Sequence, residues 1–432
     1  METLVGSYAS LNSSHLYYRS YQHSYNYEQP KKDIEGIWQS LYSTINQMNI
    51  ILANVEKINT DPNYLLIKGE ALGIRALCHF ELLKIFGPVI LQEGASAAAI
   101  PYRDAVDLKA AKFLSATEVR ERLNKDLEAA KVAFEKDPIR TNARTANLNT
   151  LAYEPYNSLI DRRGTRMNYY AVVALQALLS QWFGDMPNAG LIGESLIREL
   201  QQSKSISLVS PLELSYSINT RFPMENIFGL MTRKLYELAS SVLPPLADTQ
   251  GSSASPLLYP NYNWLKNNLY TASVHGTTND YRLNSWFKTS VTSSSLYKLN
   301  KFLFDPQNVI TDDNYTGLYE TKIISLHTIY LLVAEAHADG QPENAIAYLN
   351  LVRNARNIAA SANIVYDASM SPQMIRDYIF DELRKDNIGD GYLFGAYKRL
   401  FKDIDRPTPV KATVGIFKIP VPDDELLFNP QN

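Results

Sequence analysis

The sequence predicts a mainly α-helical protein of paired antiparallel helices, interrupted by one long, loop-rich and strand-poor insertion. Three observations predict this. Apolar residues recur at steps of three and four in both end regions. A helix–turn–helix pattern around Gly184 is echoed around Gly340. Between the echoes, from roughly 205 to 321, helical periodicity is lost and Ser, Thr, Asn, Tyr and Pro crowd together.

The first long helix is read from Ile34, Ile37, Trp38, Leu41, Ile45, Met48, Leu52 and Val55, which share one amphipathic face. Asp61-Pro62 supplies a cap and a first-turn proline for the next helix. That helix is the most informative segment, Glu70 to Leu91, apolar almost all the way round as a buried bundle helix should be. Gly69, Gly73 and Ala76 lie along one side, where a neighbouring helix backbone could approach, and Lys68, Arg75 and His79 form a thin polar stripe. Gly87-Pro88 ends it. A third helix opens at Ser115 with Glu118 completing a capping box, and Asp137-Pro138 marks its end.

The two echoes, Tyr169–Ile197 and Tyr330–Arg353, each hold an alanine-rich helix, a glycine turn, a proline and Asn-Ala opening a second helix. This is the layout of a tetratricopeptide-like unit. A last helix begins at Ser371-Pro372, a cap followed by a first-position proline. In the insertion, Asn226–Leu230 reads as a strand, and a stretch this long without regular structure is expected to carry function. The chain is read as one domain, 1–432: N-terminal hairpins over 30–204, a ligand-binding region over 205–321, and C-terminal hairpins and tail over 322–432.

Composition narrows the function. Hydrophobic residues make up 45% of the 432, enough for a sizeable core, and charged residues 20%. A net charge of −3 with no basic run argues against a nucleic-acid partner. The single cysteine, Cys78, sits in the buried helix and excludes an internal disulfide. No apolar run is long enough to span a membrane as a helix. No signal peptide is visible, but Leu4–Leu11 reads like domain interior, so the chain reads as trimmed and that absence has no weight.

Gly-x-Ser-x-Gly, His-Glu-x-x-His, the P-loop and the dinucleotide glycine motif are all missing, so no catalytic residue is assigned. The histidines show no i,i+4 pair, Asp312-Asp313 lacks calcium-loop spacing, and neither a metal nor a cofactor is expected. What the chain does offer is 28 tyrosines, two groups of them in polar, non-helical surroundings. One group is Tyr17, Tyr18, Tyr21, Tyr25 and Tyr27 with Arg19 and His23; the other is Tyr259, Tyr262, Trp264 and Tyr270 among Asn261, Asn263, Asn267 and Asn268, followed by Tyr281 and Trp286. Flat rings take the apolar faces of sugars, while amides and guanidinium groups pair with hydroxyls. The candidate glycan contacts are therefore Trp264, Tyr262, Tyr259, Asn263, Tyr281, Trp286, Tyr21, Tyr25 and Arg19. Trp38, Phe80, Phe86 and Trp182 are read as packing.

Several motifs occur in a consistent order. Trp38-x-x-Leu41-Tyr42-x-x-Ile45-Asn46 is followed by Glu70-Ala71, Ile74-Arg75-Ala76, His79-Phe80-Glu81-Leu82 and Phe86-Gly87. Later come Asn279-Asp280-Tyr281-Arg282, Tyr330-Leu331 with Ala334-Glu335-Ala336, Tyr348-Leu349-Asn350 with Val352-Arg353, and Ile419-Pro420-x-Pro422. Together they resemble the SusD/RagB family, surface glycan-capture lipoproteins of Bacteroidetes. The pattern departs from that family at Pro88, Ile90, Ser325, Thr328, Leu383 and Asp390, marking a divergent member whose ligand need not match starch or mucin glycans. The resemblance implies a non-enzymatic, cell-surface protein at the outer membrane, held by an N-terminal lipid anchor. It would capture oligosaccharide or polysaccharide for a SusC-like TonB-dependent outer-membrane transporter. The alternative is a scaffold or lid subunit that binds no glycan and serves, for example, peptide uptake; a hydrolase ranks third.

Overall fold

The computed structural model describes residues 1–9, 11–107, 109–141, 159–160, 163–215, 220–232, 234–244, 257–271, 277–289, 296–302 and 320–429. Nine helices of eight residues or more stand out among them: α1 (Glu28–Asn54), α2 (Tyr64–Phe86), α3 (Ala116–Ala133), α4 (Tyr169–Trp182), α5 (Met186–Ser203), α6 (Leu326–His337), α7 (Pro342–Asn354), α8 (Pro372–Asp386) and α9 (Leu393–Leu400). From α1 to α8 each helix packs on the next, so the superhelix continues from α5 to α6 across the whole insertion.

Local chemistry explains the ends. The Ser115 hydroxyl accepts from Glu118 N while the Glu118 carboxylate accepts from Ser115 N, the predicted capping box of α3. Ser371 caps α8 through Met374 N, with Pro372 first in the helix. The Asp61-Pro62 cap does not fall where expected. Asp61 accepts from Asn63 N in a turn, and α2 begins at Tyr64. Gly87 does end α2, but its φ is −66°, so handedness is not the reason. A Cβ there would lie 2.5 Å from the Leu83 carbonyl oxygen, a contact only glycine avoids. Gly184 does need its glycine, at φ +75° in the α4–α5 turn.

Helix α2 is buried nearly all round, Cys78 included. The space beside Gly69 and Gly73 is filled by the Phe134 ring and by Met167, not by a helix backbone as expected. Glycine makes a similar close fit between α5 and α6, where a Cβ on Gly193 would meet a Val333 methyl at 2.6 Å.

Of the polar stripe on α2, Arg75 and His79 belong to the interior, while Lys68 stays half-exposed and pairs with Glu56. Arg75 forms a two-pronged pair with Asp126 of α3 (2.6 and 2.7 Å) and donates to Asn49 of α1 (2.8 Å). His79 lies within 2.9 Å of the Arg75 carbonyl through Nδ1 and accepts from Arg103 N through Nε2 (3.0 Å). Its ring stacks on Tyr102 at 3.8 Å. Burial holds His79 neutral, pulled down to about 3.

Three two-stranded antiparallel sheets are described. β1 (Ala98–Pro101) pairs with β2 (Phe113–Ser115), β3 (Asn226–Met231) with β6 (Glu320–Ser325), and β4 (Phe287–Thr289) with β5 (Tyr297–Leu299). The strand read from Asn226–Leu230 is β3.

The insertion has an apolar cluster of its own, distinct from the helical core. It gathers Phe222, Leu265, Leu269, Tyr270, Trp286 and Leu299, with Tyr8 from the N-terminus and Ile388 from beyond α8. Buried ion pairs tie it to the helices. Arg282 reaches Asp280, Glu382 and Asp386 (2.6, 2.5 and 3.1 Å), and Arg356 reaches Glu225 and Asp386 (2.6 and 2.7 Å). Lys301 and Lys322 both meet Asp390, at 2.7 and 2.8 Å. No helix among the described residues is long and apolar enough to cross a membrane.

Candidate functional site

The segment just before the first aromatic group is joined to the start of the second along one seam, and Tyr17 packs on the second core. Ala9 N donates to the Tyr259 carbonyl and Asn261 N to the Ser7 carbonyl, both at 2.8 Å, and Tyr8 bridges Pro260. The His15 ring nitrogen Nε2 sits 3.3 Å from the Leu257 carbonyl. The main-chain bonds hold 7–9 against 259–261 whatever the side chains do.

On the insertion side, Asn261 caps a single helical turn, its side-chain oxygen accepting from Trp264 N at 3.1 Å. That turn fixes Tyr262, Asn263 and Trp264. Tyr262 stacks face to face on Tyr297 of β5 at 3.9 Å and 18°, and Phe287 stands 5.5 Å away. Trp264 is half-buried on the second core, with the Arg384 guanidinium 5.9 Å from its ring. Asn263, Asn267 and Asn268 are exposed beside it, and Tyr259 is half-exposed. Tyr281 is half-exposed against Phe222, at 5.9 Å.

On the N-terminal side Arg19 lies 4.0 Å from the Tyr27 ring centre and 5.4 Å from that of Tyr18. Tyr27 keeps 48% of its surface open. Tyr17 is half-exposed, and burial raises its phenol.

Three expected contacts are buried core residues, though Tyr25 still borders the larger hollow beside the seam. Trp286 is 0% exposed, donates from Nε1 to the Thr220 carbonyl at 2.7 Å, and lies under Lys301 at 4.4 Å. Tyr21 is covered by Arg406, 3.7 Å from its ring centre. Tyr25 donates to the Ile416 carbonyl at 2.6 Å. In each case the covering group is remote in sequence, which is why polar neighbours along the chain gave no warning. The ring that the sequence reading missed is Tyr297, whose only signal is its place in the short Tyr297–Leu299 strand.

One hollow of about 1050 Å³ borders the seam, and a second of about 640 Å³ adjoins it at Met1, Leu41, Glu81 and Ile85. The larger is bounded by Leu4, Tyr17, Ile34, Leu238 and Leu258. The smaller lies along α2, against Ile74, Leu77, Phe228 and Ile324. Both are chiefly apolar and lack the run of amides found around Trp264. Among the described residues no group of three His, Cys, Asp or Glu side chains could hold a metal ion. Asp312-Asp313 lies outside the described residues.

Residues 1–153 match the SusD-like_3 family, described as starch-binding and associating with the outer membrane. Similar solved structures span nearly all of the chain. A SusD superfamily protein of Bacteroides thetaiotaomicron has TM-score 0.70 at 19% identity, over 98% of this chain and 90% of that one. A SusD superfamily protein of Bacteroides fragilis has TM-score 0.68 at 18% identity, over 99% and 90%. A SusD-like carbohydrate-binding protein of Bacteroides vulgatus has TM-score 0.68 at 17% identity, over 99% and 89%. No curated protein matches the chain.

Proposed function

We propose that this chain, whose residues 1–153 match the SusD-like_3 family and whose fold is similar to that of SusD superfamily proteins, captures oligosaccharides at the outer-membrane surface. The observation that carries this reading is the seam. Two segments more than 200 residues apart are joined there, beside the half-exposed rings Tyr259, Tyr262 and Trp264 and the exposed amides Asn263, Asn267 and Asn268. Trp264, Tyr262 and Tyr259 would offer ring faces and edges, Asn263 and Arg19 the hydrogen bonds, and Tyr281 a flanking contact. Tyr297 joins the set as the support that sets the tilt of Tyr262. Trp286, Tyr21 and Tyr25 are left out as core.

The protein binds and does not cleave. Glu225, Glu382 and Asp386, at the edge of the insertion, are buried and already held by Arg356 and Arg282, and are therefore assigned no catalytic role. On this picture a lipid anchor holds the protein at the cell surface, and it delivers its ligand to a TonB-dependent transporter of the SusC type, closing over the barrel as a lid.

Shallow binding of this kind falls in the micromolar to millimolar range, about −4 to −8 kcal/mol. Calorimetric titration against an oligosaccharide panel tests it. At least one glycan should bind, and Trp264→Ala should weaken it about tenfold, the worth of one stacking ring. Silence across the panel, with transporter still recovered by pull-down, favours the scaffold reading. One observation favours that rival: Tyr262 and Tyr27 each already have one face occupied, by Tyr297 and Arg19.

A further inference from the structure

A third hollow, of about 480 Å³, lies between α1, the β1–β2 connection and the tail of the chain. It shares no residue with the seam or with the two hollows already described. Its α1 wall is Glu35, Trp38, Gln39 and Tyr42, at i, i+3, i+4 and i+7, so all four stand on one helix face. Opposite is the short helix Asp423–Phe428, which presents Asp424, Glu425 and Phe428. Lys31 of α1 holds one end of that helix through Asp423 (2.6 Å), and Asn429 ties the other end to the Ala111 carbonyl (2.7 Å).

The polar groups of this hollow are uncommitted. Trp38 is 4% exposed, its ring packed against Tyr42, Phe86 and Phe113 (4.8, 4.8 and 6.5 Å). Its indole N–H donates to no acceptor among the described residues, although a tryptophan this buried normally finds one. Unlike the N–H of Trp182, it is not sealed from solvent. Among the described residues Asp424 has no partner, while Glu35 and Glu425 each engage one oxygen only, with Gln39 (2.7 Å) and Asn429 (2.9 Å). Arg103 donates elsewhere, to the Lys109 and Asp107 carbonyls. Apolar surface comes from Phe428, 78% exposed, with Pro101 and Pro422 also in the walls.

We propose that this hollow is a second glycan site, suited to a sugar without negative charge. Its carboxylate oxygens need donors and its indole N–H needs an acceptor. Sugar hydroxyls supply both, while the C–H face of the ring lies on Phe428. The same carboxylates repel a uronate or a sulfated unit, and the volume falls within the usual range for small-molecule sites. The site extends glycan capture to another face of the molecule and does not rest on the seam.

The test is fluorine NMR of the full chain labelled with fluorotryptophan, whose four tryptophans are assigned by replacing them one at a time with Phe. Cellobiose, maltose and lactose are titrated beside digalacturonate and a proline-rich peptide. At least one neutral disaccharide should shift the Trp38 resonance saturably at millimolar concentration, about tenfold tighter than digalacturonate. Asp424→Asn and Phe428→Ala, both at exposed positions, should each weaken that binding about tenfold, and Trp264→Ala should leave it unchanged. No saturable Trp38 shift with any of the three disaccharides, equal affinity for digalacturonate, or a shift with the peptide alone overturns the proposal. So does unaltered affinity in both surface variants. A Trp38 response beside a silent Trp264 resonance supports this site while counting against the seam.

Discussion

The helical superhelix and the insertion are stabilised by different means. In the superhelix, α2 buries apolar side chains all round, and α5 meets α6 closely enough that Gly193 admits no Cβ. The insertion has a smaller apolar cluster and depends on buried charge to stay attached, through Arg282, Arg356 and Lys301. Apolar packing tolerates loss of one contact in many, whereas a buried ion pair deprived of one partner leaves an uncompensated charge. The two regions should therefore fail under different stresses.

Acid should have the largest effect and should separate them. His79, in the superhelix, is held neutral and lowered to about 3, so the unfolded chain takes up its proton first. Its contribution is present above the ordinary histidine value near 6.5 and is lost as pH falls toward 3. Glu225 and Glu382, at the junction, are held to about 2 by Arg356 and Arg282 against the cost of burial. Their contribution is present above about 4.5 and is lost between there and 2, each unit being worth about 1.4 kcal/mol. Urea midpoints measured from pH 7 to 3 should fall in two stages; one carboxylate-driven drop below pH 4.5 would remove the histidine stage.

Next in size, Arg356→Met strips the partner from Glu225 and Asp386 and should cost about 3–5 kcal/mol. The loss should appear as early exposure of Trp286 and Trp264 in fluorescence, with far-ultraviolet circular dichroism of the helices retained. Simultaneous loss of both signals would mean the two regions unfold as one unit. Gly193→Ala drives a methyl into Val333 and should cost about 1–3 kcal/mol, without altering glycan binding at the seam. Smallest is Ser115→Ala, which removes the capping box of α3 at about 1 kcal/mol, read from the thermal midpoint.

The same division explains what could be read from sequence. Helices, caps and the repeated hairpin are local: Ser115 and Ser371 act on residues three positions away, and Pro372 needs no distant partner. Rings in the insertion obey no local rule. Tyr21, Tyr25 and Trp286 resembled Tyr262 in their polar neighbourhoods, yet Arg406, Ile416 and Thr220 cover them from elsewhere in the chain. The glycines of α2 were correctly read as close-packed, but side chains fill the space because Phe134 and Met167 lie opposite. Nor did any spacing foretell that Arg356 and Arg282 converge on Asp386, since the three lie on separate elements.

The seam also has a kinetic consequence. His15 and Leu257 are 242 positions apart, so closing them demands a long loop and little enthalpy is returned until both sides are ordered. On refolding, ligand affinity should return only after helical signal has recovered. Capture competence would then report complete maturation of the polypeptide, with the platform serving as the template on which its two distant ends are finally joined.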